Sequence, residues 1–500
     1  MNPINRDILK LAIPSILANI TVPIVGMVDI AVAGHLDASA ATLIGGIAVG
    51  SMLFDLLYWN FGFLRVGTGG LTAQAFGRQD WKECSRILTR ALGMSMAIAC
   101  CLLLIQWVFV KAAFMVVDCS PEVQELASKY FFIRIWAAPA TLSLMALKGW
   151  FIGMQDSVST MVTDFVVNGM NVLMSIVLAL GIALPHASLE PSGFAGLSSV
   201  SASRVLFPAM GFPGIALGTV AAQYSGLLVA LLIVLFKYRR KVFADFALAD
   251  LRGIFKGSET RRFFVMNADL FVRSLCFIAI YIGFTVISAR YGDLLLAVSS
   301  IMMKILMIFS YFTDGFAYAG EAMTGRYIGA GDPVNLRKTV KWTFIWSMGL
   351  AALFIAIYHF GGVHLLRMMT SDEAVVNASR DFLPWLLLMP VVGCAAFTWD
   401  GIFIGATGSR EMRNSMLWSV VAFAAVWFLG ILLLTTLAPA TQADLATSPS
   451  DASGESSAVP GATPYGIIAM HILMAAYFAH LLARTIYLTL KARAVLRLQK

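Results

Sequence analysis

The sequence Gly149-Trp150-Phe151-Ile152-Gly153 recurs as Gly401-Ile402-Phe403-Ile404-Gly405, at an offset of 252 residues (401 − 149). Two further pairs keep this register to within one residue: Gly77-Arg78-Gln79-Asp80 with Gly329-Ala330-Gly331-Asp332, and Gly62-Phe63 with Gly315-Phe316. Because chance does not keep one register three times, we interpret the chain as two copies of one structural unit.

Both copies consist of long apolar stretches. Of the 500 residues, 59% are hydrophobic and 13% are charged, and the mean hydropathy is +0.80, which excludes an ordinary water-soluble enzyme. A helix needs about 20 residues to cross roughly 30 Å of hydrocarbon, and the stretches lack the alternation of a lipid-facing strand. We therefore predict an all-α integral membrane protein with twelve transmembrane helices, at residues 8–33, 43–77, 86–117, 126–152, 159–183, 211–236, 261–288, 294–330, 339–361, 375–404, 412–437 and 465–490.

Lysine and arginine residues are distributed unevenly between the two predicted sides of the membrane. The loops and ends on the side of the termini hold 25 of them, against six on the other side. Under the positive-inside rule this asymmetry places both termini in the cytoplasm.

Because each copy has six helices, an even number, both copies enter the membrane in the same direction. Parallel repeats of this kind are related by an axis along the membrane normal and enclose a central cavity that opens alternately to either side. We place an N-lobe at residues 1–236, a basic amphipathic linker on the cytoplasmic surface at 237–260, and a C-lobe at 261–500.

Four passages, taken in order, carry a resemblance to a known family. They are Val28-Asp29-Ile30-Ala31-Val32-Ala33-Gly34-His35-Leu36, FGFLRVGTGGLTAQAFG (61–77), YFTDGFAYAGEA (311–322) and DGIFIGATGSREMRNSM (400–416). The chain resembles the multidrug and toxic compound extrusion (MATE) transporters, of the DinF (DNA-damage-inducible protein F) branch. The resemblance implies two six-helix lobes that exchange outward-facing and inward-facing states, driven by an ion gradient, with amphipathic or cationic organic substrates.

Asp29 is the first candidate for coupling transport to an ion. It lies well inside the first predicted helix, where a carboxylate costs several kcal/mol unless it is paired, protonated or hydrated. Burial favours the neutral acid, which is what a proton carrier needs, and the family's proposed proton site is a matching first-helix aspartate. The plainer interpretation is a carboxylate near the helix end that hydrogen-bonds a neighbour.

The fifth helix carries a polar stripe, Asp164, Asn168, Asn171 and Ser175, at the i, i+4, i+7, i+11 spacing of one helix face. We expect it to face the interior of the N-lobe, either binding an ion or substrate or holding helices together. Some relatives carry an Asn-x-x-x-Asp pair here. Ser175 replaces the second carboxylate, which argues against a two-aspartate ion site.

Pro14 and Pro23 precede Asp29 within the first helix. A proline inside a helix removes a backbone hydrogen bond and permits a kink. The resemblance implies a bend at Pro14 that follows protonation of Asp29 and expels substrate, and a static bend is the alternative.

The predicted helices contain further charges. In the C-lobe we expect six buried charges, which can neutralise one another: Asp269, Arg273, Lys304, Asp314, Glu321 and Asp400. The i, i+4 spacing of Asp269 and Arg273 predicts a structural ion pair, while the resemblance to sodium-coupled relatives makes Asp269 and Asp400 a candidate cation site.

Two cations, Arg65 and Lys148, lie within the predicted N-lobe helices. We expect them to balance Asp55 or Asp164, in preference to lining the cavity.

These observations predict a secondary antiporter that exports organic compounds in exchange for protons, with sodium as the alternative coupling ion and no other cofactor. The expected setting is the lipid bilayer of a bacterial inner membrane, as a monomer whose partner is a small organic molecule and not a nucleic acid. For a flippase for lipid-linked precursors, from the same superfamily, we would expect a cavity richer in arginine and often extra helices beyond twelve. An intramembrane enzyme would need a catalytic motif such as HExxH or GxSxG, which the sequence lacks.

Overall fold

The computed structural model describes residues 3–34, 40–115, 117, 119–184, 204–243, 257–370, 372–437 and 463–497. Within them lie twelve helical segments long and apolar enough to cross a membrane, as the sequence predicted.

The first six spans form the N-lobe. Their helices are α1 Pro3–Ile20 and α2 Val22–Gly34, α3 Ala40–Trp59 and α4 Phe63–Gly77, α5 Trp81–Ala113, α6 Pro121–Arg134 and α7 Ala138–Gly153, α8 Ser157–Leu180, and α9 Phe212–Ile233 with α10 Arg239–Val242. A short antiparallel pair that the sequence did not predict, β1 Ile182–Leu184 and β2 Arg204–Phe207, follows α8.

The last six spans form the C-lobe. Their helices are α11 Ser258–Ala289, α12 Asp293–Gly329, α13 Pro333–Met369, α15 Leu383–Gly405, α16 Ser409–Leu437 and α17 Pro464–Arg497, with the short α14 Glu373–Arg380 before α15. The tenth span therefore begins at 383 and not at the predicted 375. Residues 244–256 of the predicted linker lie outside the described residues, so the lobe boundaries stay a prediction.

The repeated motifs form equivalent turns in the two lobes. Asp80 caps α5 by accepting a hydrogen bond from the Glu83 backbone N–H at 2.9 Å, and Asp332 caps α13 through the N–H of Asn335 at 3.0 Å. The residue before each aspartate has a positive φ, 59° at Gln79 and 67° at Gly331. A left-handed residue followed by an aspartate cap thus reverses the chain at the same place in each copy.

The glycines of the longest repeat allow two helices in each lobe to touch through their backbones. A side chain at Gly149 would collide with the carbonyl of Arg65 on α4, and one at Gly401 would collide with the carbonyl of Ala317 on α12. Arg65 and Ala317 are themselves 252 residues apart (317 − 65). The duplication therefore holds in the packing as well as in the sequence.

Contacts between the two lobes also join positions that are equivalent at the 252-residue offset. A side chain at Gly325 on α12 would meet Ala73 on α4, and these positions are also 252 residues apart (325 − 73). Gly77 lies against the backbone of Arg326, and Gly329 lies against the backbone of Gln74. A pseudo-two-fold axis thus passes between α4 and α12, near the end of the molecule that carries the termini.

Contacts between the lobes are not confined to the end that carries the termini. The Asn19 side chain donates to the Tyr311 carbonyl at 3.0 Å, and the Trp59 and Tyr281 rings meet edge to face at 5.3 Å. The buried C-lobe residues nearer the termini belong to one hydrophobic cluster with the N-lobe, whereas those further away form a cluster of their own. The two lobes therefore share a hydrophobic core toward the end that carries the termini.

Replacing Gly149 by alanine should destabilise the protein, by roughly 1–3 kcal/mol for overpacking a tight contact. Gly169→Ala is the matched control, because a side chain at Gly169 meets no atom within 4 Å. Thermal unfolding of the purified protein in detergent should show a lower Tm for the first variant only. Equal Tm values would contradict the backbone contact.

Candidate functional site

The Asp29 carboxylate lies inside the N-lobe. Its residue is 5% exposed, on α2, and its Oδ1 atom accepts a hydrogen bond from the Ser175 hydroxyl at 3.0 Å. The nearest charge acting on it is the Arg134 guanidinium, which forms no ion pair with it. Burial of a carboxylate costs desolvation free energy, and one hydrogen bond from a hydroxyl group offsets only part of that cost.

The four polar residues of α8 each contact a different part of the N-lobe. Ser175 binds Asp29 on α2, and the Asn171 amide donates to the Thr219 hydroxyl on α9 at 2.9 Å. Asn168 donates to the Thr21 hydroxyl, and Asp164 forms an ion pair with Lys148 on α7. The Asn171 side-chain oxygen is buried without a protein donor, so it can accept a hydrogen bond from an N–H or O–H group of a ligand.

The start of α8 is fixed by Asp156, which lies between two spans. Its carboxylate accepts hydrogen bonds from Lys237 at 2.7 Å, from the Tyr238 hydroxyl at 2.6 Å and from Ser159. Burial alone would raise the pKa of the Asp156 carboxyl, but these hydrogen bonds outweigh it and lower the pKa below its ordinary value. The charged cap holds α8, and with it the polar stripe, in place.

The first span is interrupted at Thr21, between α1 and α2. The Thr21 hydroxyl donates to the Ala18 carbonyl at 2.7 Å while it accepts from Asn168. Pro23, two residues further on, has no N–H for the helix. Pro14 lies inside α1, which continues through it. The bend at Pro14 stays a prediction, and the interruption in this structure lies at Thr21.

Arg134 belongs to the site, although sequence analysis did not single it out. Its guanidinium lies over the Phe54 ring at 4.8 Å and donates to the Tyr130 hydroxyl at 3.1 Å and to Ser51 at 3.4 Å. It also lies within electrostatic range of Asp29. A charge inside a predicted membrane helix is a functional candidate in its own right, and that signal was present in the sequence.

In the C-lobe, arginines bind both candidate carboxylates. The Oδ2 atom of Asp400 accepts from Arg273 on α11 and from Arg484 on α17. Asp269 accepts from Arg413 at 2.5 Å and from the Ser409 hydroxyl at 3.0 Å, both on α16.

The predicted ion pair between Asp269 and Arg273 is therefore wrong. A helical i, i+4 pair contributes only about 0.2–0.5 kcal/mol, whereas a buried charge needs close partners to offset its desolvation. Partners on neighbouring helices satisfy that need better.

The remaining cations, Lys148, Arg65 and Lys304, differ in their surroundings. Lys148 balances Asp164 as predicted, but Arg65 pairs with Glu321 across the lobe interface at 3.2 Å instead of with Asp55. Lys304 is exposed, contrary to its expected burial.

No group of three or more metal-ligating side chains occurs among the described residues.

A duplicated six-helix membrane unit with a buried and poorly compensated carboxylate is the architecture of a membrane transporter. The MatE family model matches residues 14–177 and 270–434, once in each lobe. The chain belongs to the MATE family of multidrug and toxic compound efflux transporters, whose members are transporters and not enzymes.

Individual relatives agree with this assignment. The chain is 33% identical to DNA damage-inducible protein F of Escherichia coli K12 over 422 residues, covering 84% of each protein. It is 22% identical to a probable multidrug resistance protein NorM of Photorhabdus laumondii, covering 81% of this chain and 83% of the relative.

Among solved structures, an outward-facing multidrug resistance MATE family transporter is similar in fold. The TM-score is 0.74 at 14% identity, over 98% of this chain and 96% of that one.

Breaking the buried ion cluster of the C-lobe should be costly. Asp400→Asn removes the carboxylate shared by two guanidiniums and should cost about 3–5 kcal/mol, seen as a lower Tm in detergent. Arg367→Gln is the control, because its ion pair with Glu373 is exposed and worth about 0–1 kcal/mol. A Tm of Asp400→Asn equal to that of the control would show that the cluster does not stabilise the C-lobe.

Proposed function

We propose that this MATE protein is a secondary antiporter that exports amphipathic or cationic organic molecules in exchange for protons, by alternating access. The observation that supports the proposal is the burial of Asp29 with one hydrogen-bond donor, Ser175, among the residues that the structure describes. An acid in that position gains from being neutral and can also hold a charge when a cation lies nearby. It therefore has two states of similar free energy, as an exchange of proton for cargo requires.

The surroundings of Asp29 connect its charge to the first span. Asp29 and Thr21 both contact α8, through Ser175 and Asn168. A change of charge at Asp29 alters its bond to Ser175, and the interruption at Thr21 lies on the same face of α8. We infer that protonation moves the first span, with hinges at Thr21 and at the predicted bend at Pro14. This movement displaces cargo from the N-lobe.

The C-lobe geometry favours protons over sodium. Asp400 is bound by two arginines, and Asp269 by one arginine and a serine. Sodium would have to displace a guanidinium from a carboxylate that is already neutralised. Sodium coupling through Asp269 and Asp400 is therefore the weaker alternative. The flippase alternative often has extra helices beyond twelve, and the described ranges contain twelve candidate spans, so we keep the antiporter as the proposal.

The distribution of lysine and arginine supports an orientation with both termini in the cytoplasm of a bacterial cell and the protein, as a monomer, in the inner membrane.

Asp29→Asn should abolish transport driven by a pH gradient, because the amide cannot release a proton. In inverted membrane vesicles, acidifying the lumen should drive uptake of a fluorescent organic cation by the wild type and by Asp293→Asn. Asp293 is exposed in the first turn of α12 and serves as the control.

Unchanged pH-driven uptake by Asp29→Asn would overturn the site assignment. Uptake driven by a sodium gradient alone, at equal pH on both sides, would instead support the C-lobe alternative.

A further inference from the structure

A buried ion pair joins the two lobes where α4 and α12 meet. Arg65 on α4 donates to the Oε2 atom of Glu321 on α12 at 3.2 Å, and the Glu321 side chain is fully buried. The Arg65 guanidinium also lies over the Tyr318 ring, 4.3 Å from the ring centroid. The other oxygen of Glu321, Oε1, is buried without a hydrogen-bond partner among the described residues. A single arginine of the opposite lobe therefore compensates this carboxylate.

The duplication explains how Glu321 reaches the N-lobe. Glu321 and Gly69 are equivalent positions, 252 residues apart (321 − 69). A side chain at Gly69 would collide with the Oε1 atom of Glu321, so the glycine of α4 leaves the space that the carboxylate of α12 occupies. One copy of the unit thus carries an acid, and the other copy carries the space for it.

A second carboxylate, Asp314, lies on the same face of α12. Asp314, Tyr318 and Glu321 follow the i, i+4, i+7 spacing of one helix face. The Asp314 side chain is half-buried and forms no hydrogen bond or ion pair within the described ranges. The Tyr318 ring, and with it the guanidinium of Arg65, therefore lies between two carboxylates of one helix.

The charges around Asp314 leave Arg65 as its available partner. Arg65, Arg273 and Arg484 all lie within electrostatic range of Asp314, and Arg65 contributes most. Arg273 and Arg484 are both bound to Asp400. An unpaired acid in a membrane helix is costly, and Arg65 is the cation that can offset this cost.

The height of Arg65 falls between the heights of the two acids. Counted from the end that carries the termini, Glu321 is eight residues into its helix, Arg65 is twelve and Asp314 is fifteen. At 1.5 Å per residue these depths are about 12, 18 and 22 Å, inside a hydrocarbon layer of roughly 30 Å. The backbone of Arg65 packs against Gly149, which fixes its height in the N-lobe. A tilt that parts the lobes at the end carrying the termini therefore moves Glu321 away from Arg65 further than it moves Asp314.

We propose that Arg65 exchanges Glu321 for Asp314 when the lobes part at the end that carries the termini. The proposal rests on the proposed function, because alternating access requires a second arrangement of the lobes. Parting without the exchange would leave an unpaired arginine inside the membrane, at a cost that would hold the lobes together. With the exchange, Arg65 is paired in both arrangements, and Glu321, which is nearer the opening end, becomes hydrated. The rival explanation is a permanent contact between Arg65 and Glu321 about which the lobes rotate.

Distances between the lobes distinguish an exchange from a permanent contact. Lys82→Cys and Val334→Cys place spin labels at equivalent exposed positions (334 − 82) in the first turns of α5 and α13. The full-length protein, with its native cysteines replaced by serine, is measured in lipid nanodiscs by double electron–electron resonance, without ligand or ion gradient. The readout is the population ratio of the long to the short distance. Asp293→Asn, which removes an exposed carboxylate at the start of α12, is the control and should leave the ratio unchanged.

Glu321→Gln should raise the ratio of long to short distances about tenfold, because the short-distance state loses one charge-assisted contact. Adding Asp314→Asn should reverse this rise, because Arg65 then has no carboxylate in the long-distance state. Gly69→Ala should raise the ratio without removing a charge, since its methyl group displaces the Glu321 carboxylate, and it replaces Glu321→Gln if that variant does not fold.

An unchanged ratio in Glu321→Gln and Gly69→Ala, or a rise that Asp314→Asn does not reverse, would overturn the proposal. Loss of pH-driven transport in Asp29→Asn is measured separately, so the exchange at Arg65 can fail while proton coupling stands.

Discussion

The desolvation of one carboxylate governs the arrangement of the N-lobe. Asp29 lies in a membrane helix with a single hydroxyl donor and a guanidinium nearby but not in contact. Full ion pairing would hold it in the charged state, and complete apolar burial would hold it in the neutral state. The observed environment lies between these limits. Ser175, Asn171 and Asn168 on α8 supply that intermediate polarity and link Asp29 to the interruption of the first span at Thr21.

The duplication gives the two lobes one backbone plan and different chemistry. Glycine contacts, helix caps and left-handed turns recur at an offset of 252 residues, as in Gly149 and Gly401. The charges of the candidate sites do not recur: the counterpart of Asp29 at that offset is Tyr281, and the counterpart of Lys148 is Asp400. The N-lobe therefore carries the poorly compensated acid, while the acids Asp269 and Asp400 of the C-lobe are held by arginines. Under the proposed function, this asymmetry assigns the response to protons to the N-lobe.

Much of the fold could be predicted from the sequence, because span length, hydropathy and the repeat are local or periodic properties. The twelve spans, the two lobes and the inward direction of the α8 stripe follow from them. Partner choice inside the lobes could not be predicted. Arg484 binds Asp400 from 84 residues away, and Arg413 binds Asp269 from 144 residues away, whereas sequence spacing favoured the adjacent Arg273. The exposure of Lys304 could not be predicted either, because it depends on how the helices pack.

If the proton on Asp29 is exchanged for cargo, binding of a cationic ligand must release that proton. Proton release on ligand binding is therefore the most direct measurement. Purified protein in weakly buffered detergent solution is mixed with a cationic ligand, and a pH indicator counts the protons released. The account predicts release of about one proton per ligand bound by the wild type and none by Asp29→Asn. Equal release by both proteins, or binding by the wild type without release, would contradict it.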